Sequence, residues 1–269
     1  MKQYNSYSGR DLTFLVCAYG QCPYLDEAVS ALVNQTEKAN IIISTSTPND
    51  LISSIAEKYH IEVRINPHGG QIEDYNFAFR QAETPLAMLA HQDEILKPQF
   101  VEKVIFAINH SKDPIIAFTD YIEMHNDKVD EKQSSLVRIK KIMLLPMKSK
   151  KLAGTRFGKR LVLRFGDPIT HPTVVHVMKK LPVNPFREEF KASMDWDLWT
   201  RLAEENGSFV YVDEILLYHR MNDQNQTAKL LKTTDIRSKN EYEIFCRYWP
   251  EWFAKFLMKF YSKAHGYYE

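Results

Sequence analysis

The stretch PLAMLAHQDEILKP, residues 85–98, decides the fold of this chain. Residues 85–90 are a short apolar run of the kind that is buried on both faces of a parallel sheet. Two acids, Asp93 and Glu94, follow this run, and a helical pattern begins at Pro98. In open α/β sheets, ligands bind beyond the carboxyl ends of the strands, so the residues that follow the run are candidates for a functional site.

The same alternation of strand and helix continues on both sides of this stretch. Apolar, β-rich runs predict the strands, and apolar stripes at helical spacing predict the helices between them. Thr47 is the expected cap of the second helix, with Pro48 at its first position. This βαβαβαβαβ order predicts the α/β class, with a doubly wound and mostly parallel sheet. The expected strands are residues 12–18, 41–43, 61–65, 85–90 and 115–121, and the expected helices are residues 23–35, 48–59, 72–82 and 98–109.

The second half of the chain has a weaker pattern. Residues 194–205 (MDWDLWTRLAEE) predict an amphipathic helix that stops at the Asn-Gly pair that follows. Residues 209–212 and 215–219 predict two short strands. The aromatic-rich residues after about 230 predict a helical C-terminal extension.

The composition excludes several functional classes. The 269 residues carry a formal net charge of +1, which gives no indication of a nucleic-acid partner. The three cysteines, Cys17, Cys22 and Cys246, are too few and too scattered for a disulfide framework and are typical of a reducing compartment. The sequence has no apolar run long enough to span a membrane and no signal-peptide pattern at its start, so we expect a cytoplasmic protein.

Common phosphate-binding motifs are missing from the sequence. The first strand is followed by AYGQCP, residues 18–23, which is not the glycine-rich GxGxxG loop of dinucleotide-binding proteins. The sequence also lacks the P-loop pattern and the GxSxG and HExxH motifs. An α/β sheet without such loops commonly holds nucleotide phosphates through a divalent metal, and Asp93 and Glu94 offer oxygen ligands that suit magnesium or manganese. The alternative is that the two acids are a solvated pair at the start of the next helix.

Several separated segments together resemble one known family. LAHQDEILKP looks like the metal-binding segment of family 2 glycosyltransferases, and FLVCAYGQCPYLDEAVSALVNQT is similar to the first strand and helix of that family. MDWDLWTRLA, followed by FVYVDEILLYHR, resembles the family's catalytic helix and last strand, and EDYNFAF resembles one of its nucleotide-side helices. These segments cover roughly residues 12–227 in the family's order. The resemblance implies a GT-A fold and transfer of a sugar from a nucleoside-diphosphate sugar to a saccharide or lipid-linked acceptor. It also implies that the reaction is inverting and belongs to surface polysaccharide or glycolipid assembly.

The resemblance also implies roles for individual residues. Asp195 would be the general base that deprotonates the acceptor hydroxyl, and Asp93 and Glu94 would hold the metal. Arg220 and the loop through Thr227 would close over the pyrophosphate. The remaining expected contacts to the nucleotide sugar are Ala18, Tyr19, Ser44, Thr45, Asp74, Asn76, Gln92 and Asp93. The resemblance further implies a nucleotide half to about residue 121, an acceptor half at 122–227 and a helical extension at 228–269.

Some positions depart from the family pattern. His91 stands at the first position of the DxD-like motif, and Met194 stands where a Glu usually precedes the catalytic acid. Ser44 follows the second strand where many members have an Asp, and Asn222 stands where a metal-binding His often follows the last strand, although His219 is near. These departures keep open a non-catalytic binding protein of the same fold. A nucleotidyltransferase is a further alternative, but the Gly- and Arg-rich loop expected after its first strand is missing.

Two further segments have an unusual composition. Residues 138–164 contain ten basic residues and no acid, interleaved with Leu, Met and Phe. This segment is either a solvated face or a surface for anionic lipid or a phosphate-bearing acceptor, which gives peripheral contact with the inner face of a membrane as one expectation. The aromatic residues 248–261 fit either a bilayer interface or packing against the domain or a second subunit. We expect Asp197 to be structural and His171 to be a hydrogen-bonded loop residue.

Overall fold

A single sheet contains all the strands in the part of the chain that the structure describes. The computed structural model describes residues 2–125, 128–130, 132–221 and 234–265. The strand order is β3-β2-β1-β4-β8-β6-β9-β5, and β7 pairs with β6. The strands are β1 Leu12–Cys17, β2 Asn40–Thr45, β3 Glu62–Ile65, β4 Leu86–His91, β5 Ile95–Leu96, β6 Pro114–His125, β7 Lys128–Val129, β8 Val175–Val177 and β9 Ser208–Met221.

Helices cover both faces of this sheet. Two groups of buried apolar residues lie on its two sides, as expected for a doubly wound α/β protein. Short 3-10 turns occur at Gly9–Asp11, Leu145–Lys148, His171–Thr173, Met178–Lys180 and Glu188–Phe190. The α-helices are α1 Leu25–Val33, α2 Asp50–Tyr59, α3 Gln71–Arg80, α4 Phe100–Asn109, α5 Ser135–Leu144, α6 Lys150–Ala153, α7 Arg156–Leu163, α8 Met194–Leu202, α9 Thr234–Cys246 and α10 Glu251–His265.

The first half of the sheet agrees closely with the sequence prediction. β1 pairs in parallel with both β2 and β4, and β2 pairs in parallel with β3. In register, Cys17 at the end of β1 faces Ser44 on one side and His91 on the other. The carboxyl ends of three strands therefore meet at one edge, which is where the functional residues were expected.

The second half of the sheet differs from the prediction in its pairing. Strand β8, which the sequence did not reveal, lies between β4 and β6 and is antiparallel to both. The two short strands expected at 209–212 and 215–219 are one strand, β9, which runs parallel to β6 with an irregular register near Thr119 and Asp120. The local pattern breaks at this irregularity because it shifts the alternation of buried and exposed side chains.

The start of α2 also differs from the prediction. The cap is Asn49, whose side chain accepts a hydrogen bond from Ile52 N while its own backbone is extended. Thr47 instead accepts a hydrogen bond from Gly20 N at 2.7 Å. Thr47 thus ties the loop after β1 to the loop after β2 at the edge where the strand ends meet.

The C-terminal helices are packed against the rest of the protein. Ile244 and Phe245 of α9 and Ala254 of α10 are buried in the same apolar group as α8. The Trp196 ring of α8 contacts both Phe245 and Tyr261. The expected boundary at residues 227 and 228 lies outside the described residues. No helix in the described segments is both long enough and apolar enough to cross a bilayer.

Candidate active site

The acids of the opening stretch lie where β4 ends. The chain turns after His91, forms the short strand β5 and pairs with β9, so that residues 92–94 form a tight turn at the sheet edge. The Gln92 amide accepts a hydrogen bond from Tyr19 N at 2.8 Å and donates one to Tyr19 O at 3.2 Å. Gln92 therefore fixes the loop after β1 relative to the turn that carries Asp93 and Glu94.

His91, Asp93 and Glu94 form a candidate metal site. One ligand atom from each residue lies within 4.8 Å of the others. His91 Nε2 and Glu94 Oε2 are buried and have no hydrogen-bond partner in the part of the chain described. Burial lowers the pKa of His91 to about 4, so the imidazole is neutral at physiological pH and can offer a lone pair. Two buried ligand atoms without partners, beside a further carboxylate, fit a divalent cation such as Mn²⁺ or Mg²⁺.

His219 extends this group from the neighbouring strand. Its Nδ1 lies 2.6 Å from Glu94 Oε1, across the pairing of β5 with β9. Burial opposes protonation of His219, but the charge and the hydrogen bond of Glu94 outweigh it and raise the pKa of the imidazole. His219 was not among the predicted site residues, although its nearness to the expected metal-binding position was the available signal. The contact of His219 with Oε1 orients the Glu94 carboxylate, as hydrogen-bond partners of metal ligands commonly do.

Arg220 lies under the same turn. Its side chain is only 2% exposed, and its Nη2 donates to Glu27 Oε2 at 2.6 Å. The guanidinium stacks 4.0 Å from the centre of the Tyr24 ring, and its Nε donates to Asp93 O at 3.3 Å. This arrangement places a cation directly beside Asp93. The loop at 222–227 that was expected to close over the pyrophosphate lies outside the described residues.

The expected general base lies at the beginning of α8. The Asp195 side chain is 31% exposed, but its Oδ1 is buried and has no hydrogen-bond partner among the described residues, and His171 Nδ1 lies 3.2 Å from this atom. Burial raises the pKa of Asp195 to about 6, although the nearby charges of His91 and Lys140 act in the opposite direction. Burial also lowers the pKa of His171 to about 3, so this ring is neutral. A carboxylate whose pKa is close to the working pH is suited to proton transfer.

A group of rings connects the base with the candidate metal site. The His91 and His171 rings meet edge to face with centroids 5.4 Å apart. The Tyr75 ring lies against both, at 5.8 Å from His91 and 5.9 Å from His171. Asp195 and the acids after β4 thus face a common region, although about 100 residues separate them in sequence. The sequence predicts a hydrogen-bonded loop histidine at position 171, whereas His171 is buried and its Nε2 has no hydrogen-bond partner among the described residues.

The remaining predicted contacts lie along the ends of β1 and β2. Ala18 and Ser44 are buried and are linked by a hydrogen bond from Ala18 N to Ser44 O, whereas the Tyr19 side chain is 55% exposed. Thr45 is buried, and its hydroxyl accepts a hydrogen bond from Thr47 N. These residues form one wall next to the acids.

Asp74 and Asn76 of α3 form hydrogen bonds with other parts of the protein. Asp74 accepts hydrogen bonds from Ser46 Oγ at 3.0 Å and Asn66 Nδ2 at 2.7 Å, so it joins the loops after β2 and β3. The Asn76 amide exchanges two hydrogen bonds with the backbone of Phe186 and is buried. These two hydrogen bonds hold the loop around Phe186, and the contact of Asn76 with the nucleotide stays a prediction.

Asp197 lies two residues after Asp195 on α8 and has a different environment. Its carboxylate is fully buried and pairs with Arg187, Arg201 and Arg247. Burial alone would raise the pKa of Asp197, but the three guanidinium groups outweigh it and lower the pKa. Because Arg247 ends α9, this acid ties α8 to the C-terminal helices, in agreement with the structural role expected for it.

Replacing Asp197 by Asn is therefore expected to weaken the fold rather than the chemistry. Removal of one partner of a buried ion pair leaves the other charges uncompensated and typically costs about 3–5 kcal/mol. We expect a clear fall in the free energy of unfolding in a urea titration. At a temperature where the variant is folded, turnover should stay within severalfold of the parent, and a loss of turnover as large as that expected for Asp195 would contradict the assignment.

The fold is the GT-A fold, which solved glycosyltransferase structures share. Residues 13–167, more than half of the chain, match the family described as "Glycosyl transferase family 2". The protein belongs to that family. The catalytic helix α8 lies beyond the matched residues.

Several known proteins are similar to this chain in sequence or in structure. An uncharacterized glycosyltransferase of Haemophilus influenzae is 24% identical over 249 residues, which cover 84% of this chain and 73% of that protein. The crystal structure of S. aureus TarS 1-349 in complex with UDP-GlcNAc has a TM-score of 0.64 at 16% identity and covers 92% of this chain and 70% of that one. The mannosyltransferase PcManGT from Pyrobaculum calidifontis, in complex with GDP-Man and Mn²⁺, has a TM-score of 0.60 at 11% identity, with coverage of 91% and 66%. At these identities the structural likeness shows the fold.

Proposed function

We propose that this protein transfers a sugar from a nucleoside-diphosphate sugar to a hydroxyl group of a saccharide or lipid-linked acceptor, with inversion at the anomeric carbon. The observation that carries the proposal is the placement of Asp195. Its carboxylate lies beside His171, and the ring of His171 contacts His91 of the candidate metal site. A base and a diphosphate-binding site on two sides of one region are what a displacement between acceptor and donor needs.

In the proposed reaction, Asp195 accepts the proton of the acceptor hydroxyl as its oxygen attacks the anomeric carbon. The bond between that carbon and the diphosphate oxygen breaks, and the nucleoside diphosphate leaves with the electron pair. A single in-line displacement of this kind inverts the anomeric configuration. His171 Nδ1 lies 3.2 Å from the Asp195 carboxylate without forming a hydrogen bond to its Oδ1.

We assign the diphosphate to the region of His91, Asp93 and Glu94. A divalent metal bound there would neutralise charge on the diphosphate. Among the chain's own groups, Arg220 supplies a fixed positive charge beside Asp93. The base and ribose of the nucleotide would lie along the wall formed by Ala18, Tyr19, Ser44, Thr45 and Asp74. Mn²⁺ and GDP-Man in PcManGT, a protein of the same fold, support this arrangement.

The raised pKa of Asp195 leads to a prediction about pH. The base acts in its ionised form, which is lost as the pH falls through about 6 because burial disfavours the charge. We expect kcat/KM to rise about tenfold per pH unit below that value and to level off above pH 7. Measurement with saturating Mn²⁺ over pH 5–8 tests this, and a flat or falling profile across pH 5–7 would contradict the role of Asp195.

Product analysis tests the proposed function itself. The protein is incubated with radiolabelled UDP-, GDP-, CDP- and dTDP-sugars and a panel of saccharide and lipid-linked acceptors, and release of nucleoside diphosphate is measured. Proton NMR of the product reports the anomeric configuration. Transfer with inversion would support the proposal, and transfer with retention would remove Asp195 as the base. Binding of a nucleotide sugar without any transfer would favour the alternative, a non-catalytic binding protein.

The finer expectations from the sequence belong to the same proposal. A role in surface polysaccharide or glycolipid assembly, and a location at the cytoplasmic side of a membrane, stay predictions that the identity of the acceptor will decide. The three cysteines, Cys17, Cys22 and Cys246, are free.

A further inference from the structure

Helix α5, together with Leu145 at the start of the 3-10 turn that follows it, has an apolar stripe that faces away from the protein. Ile139, Ile142 and Leu145 are 52%, 64% and 53% exposed. Residues spaced by three lie on the same side of a helix, so these side chains form one continuous stripe. The opposite side of α5 carries Val137 and Leu144, which are buried in the core. Exposed large apolar side chains that cluster in this way mark an interaction surface rather than scattered surface residues.

The surroundings of this stripe are positively charged. It lies within residues 138–164, which contain ten basic residues and no acid. Arg138 is exposed next to the stripe, and Lys150 and Lys151 are exposed just beyond it. Lys141 and Lys148 pair with acids of the sheet, Asp120 and Asp213, and Arg156 and Arg160 pair with Glu204. The charge that remains is cationic, as expected for a helix that lies at the surface of an anionic bilayer.

The same helix reaches towards the candidate active site. Lys140 lines a small cavity together with Asp120 and Thr170. Its charge also acts on the Asp195 carboxylate. One side of α5 therefore faces outward with apolar and basic residues, and another borders the region where the acceptor would approach.

We propose that the stripe of Ile139, Ile142 and Leu145, with the basic residues beside it, docks the protein on an anionic lipid bilayer. The bilayer is favoured over a second copy of this chain because two such cationic surfaces would repel each other. Docking through α5 places the side of the site near Lys140 at the membrane. This consequence rests on the proposed function, and it identifies the acceptor as a hydroxyl presented from a lipid surface.

The test is co-sedimentation of the full chain with vesicles, which needs no turnover. The vesicles consist of phosphatidylcholine alone or of phosphatidylcholine mixed equally with phosphatidylglycerol. We expect binding only to the anionic vesicles, with affinity that falls as salt is added. The double variant Ile139→Gln/Ile142→Gln should bind at least about tenfold more weakly than the parent. The reason is that the contacts of two isoleucine side chains with the acyl region are lost. Arg138→Gln should bind several times more weakly at low salt and differ less at high salt.

Two control variants make the test specific. Phe106 on α4 is 54% exposed, so Phe106→Gln removes a comparable apolar side chain from another surface and should bind like the parent. Trp252 on α10 is 72% exposed and represents the competing aromatic surface near the C-terminus. The proposal would be overturned if the stripe variants bound vesicles like the parent, or if Trp252→Gln alone abolished binding. It would also be overturned if sedimentation analysis showed that the parent is a dimer and that the stripe variants are monomers. Normal vesicle binding without sugar transfer would refute the proposed function and leave the docking surface in place.

Discussion

Replacement of Asp195 by Asn is expected to lower kcat by about 10²–10⁴-fold, the usual contribution of a positioned general base. The amide has the size of the carboxylate but cannot accept the proton of the acceptor hydroxyl. The partly exposed position next to His171 tolerates a neutral polar group, so the fold should be kept. Release of nucleoside diphosphate at saturating donor measures the loss, and calorimetry should give a nearly unchanged affinity for the donor.

The pairing of Asp195 with Asp197 on one helix supplies the matched control. Asp197→Asn changes the same atoms two residues away but loses stability rather than turnover, because its partners are three arginines. Equal turnover in the parent and in Asp195→Asn would show that another group removes the proton. Equal losses in both variants would show that disturbance of α8, rather than loss of the base, is the cause.

Replacement of Asp93 by Asn or of Glu94 by Gln is expected to remove metal-dependent nucleotide binding. Loss of the groups behind metal ligands typically costs about 10–100-fold in metal affinity, so loss of a ligand itself should cost about 100-fold or more. Glu94→Gln also removes the charge that raises the pKa of His219 against the opposing effect of burial. Manganese affinity is measured by electron paramagnetic resonance, and nucleotide affinity with and without manganese by calorimetry.

His219→Asn is the graded control for this prediction. It leaves the candidate ligands in place and removes only the contact to Glu94 at 2.6 Å, so it should cost about 10–100-fold. Glu94→Gln and Asp93→Asn proteins that bind manganese and nucleotide like the parent would remove both acids from the metal site. Metal-independent binding in the parent would leave the GT-A fold unaffected and assign the diphosphate to cations such as Arg220.

The sequence predicts the first half of the sheet best, where strands close together in the chain pair in parallel. Strands β1, β2 and β4 contain continuous apolar runs, and a helix follows each of the strands β1, β2 and β3, so local pattern and strand order agree. The acids after β4 could be found for the same reason, because a polar group directly after a buried strand must lie at the sheet edge. The predictions were less accurate where pairing depends on distant segments. Strand β8 has only three residues, and its strand character comes from pairing with β4 and β6.

Several site contacts could not be predicted because they arise only from folding. The approach of His171 to Asp195 joins residues whose sequence neighbours give no sign of a partner, and the approach of His219 to Glu94 was indicated only by the nearness of His219 to the expected metal-binding position. Asn76 was assigned to the nucleotide through the family resemblance, but the distant backbone of Phe186 occupies its amide. A motif gives the position of a side chain on its helix, whereas the contacts of that side chain depend on which loop packs against the helix.

Calorimetric titration with UDP, GDP, CDP and dTDP, each with and without Mn²⁺, tests the central claim most directly. The claim is that the strand ends around Asp93 form a site for a nucleoside diphosphate and its metal. The account predicts that one of the four nucleotides binds, that Mn²⁺ strengthens its binding, and that Asp93→Asn removes the effect of Mn²⁺. Failure of all four nucleotides to bind to the folded protein, with and without Mn²⁺, would contradict the account.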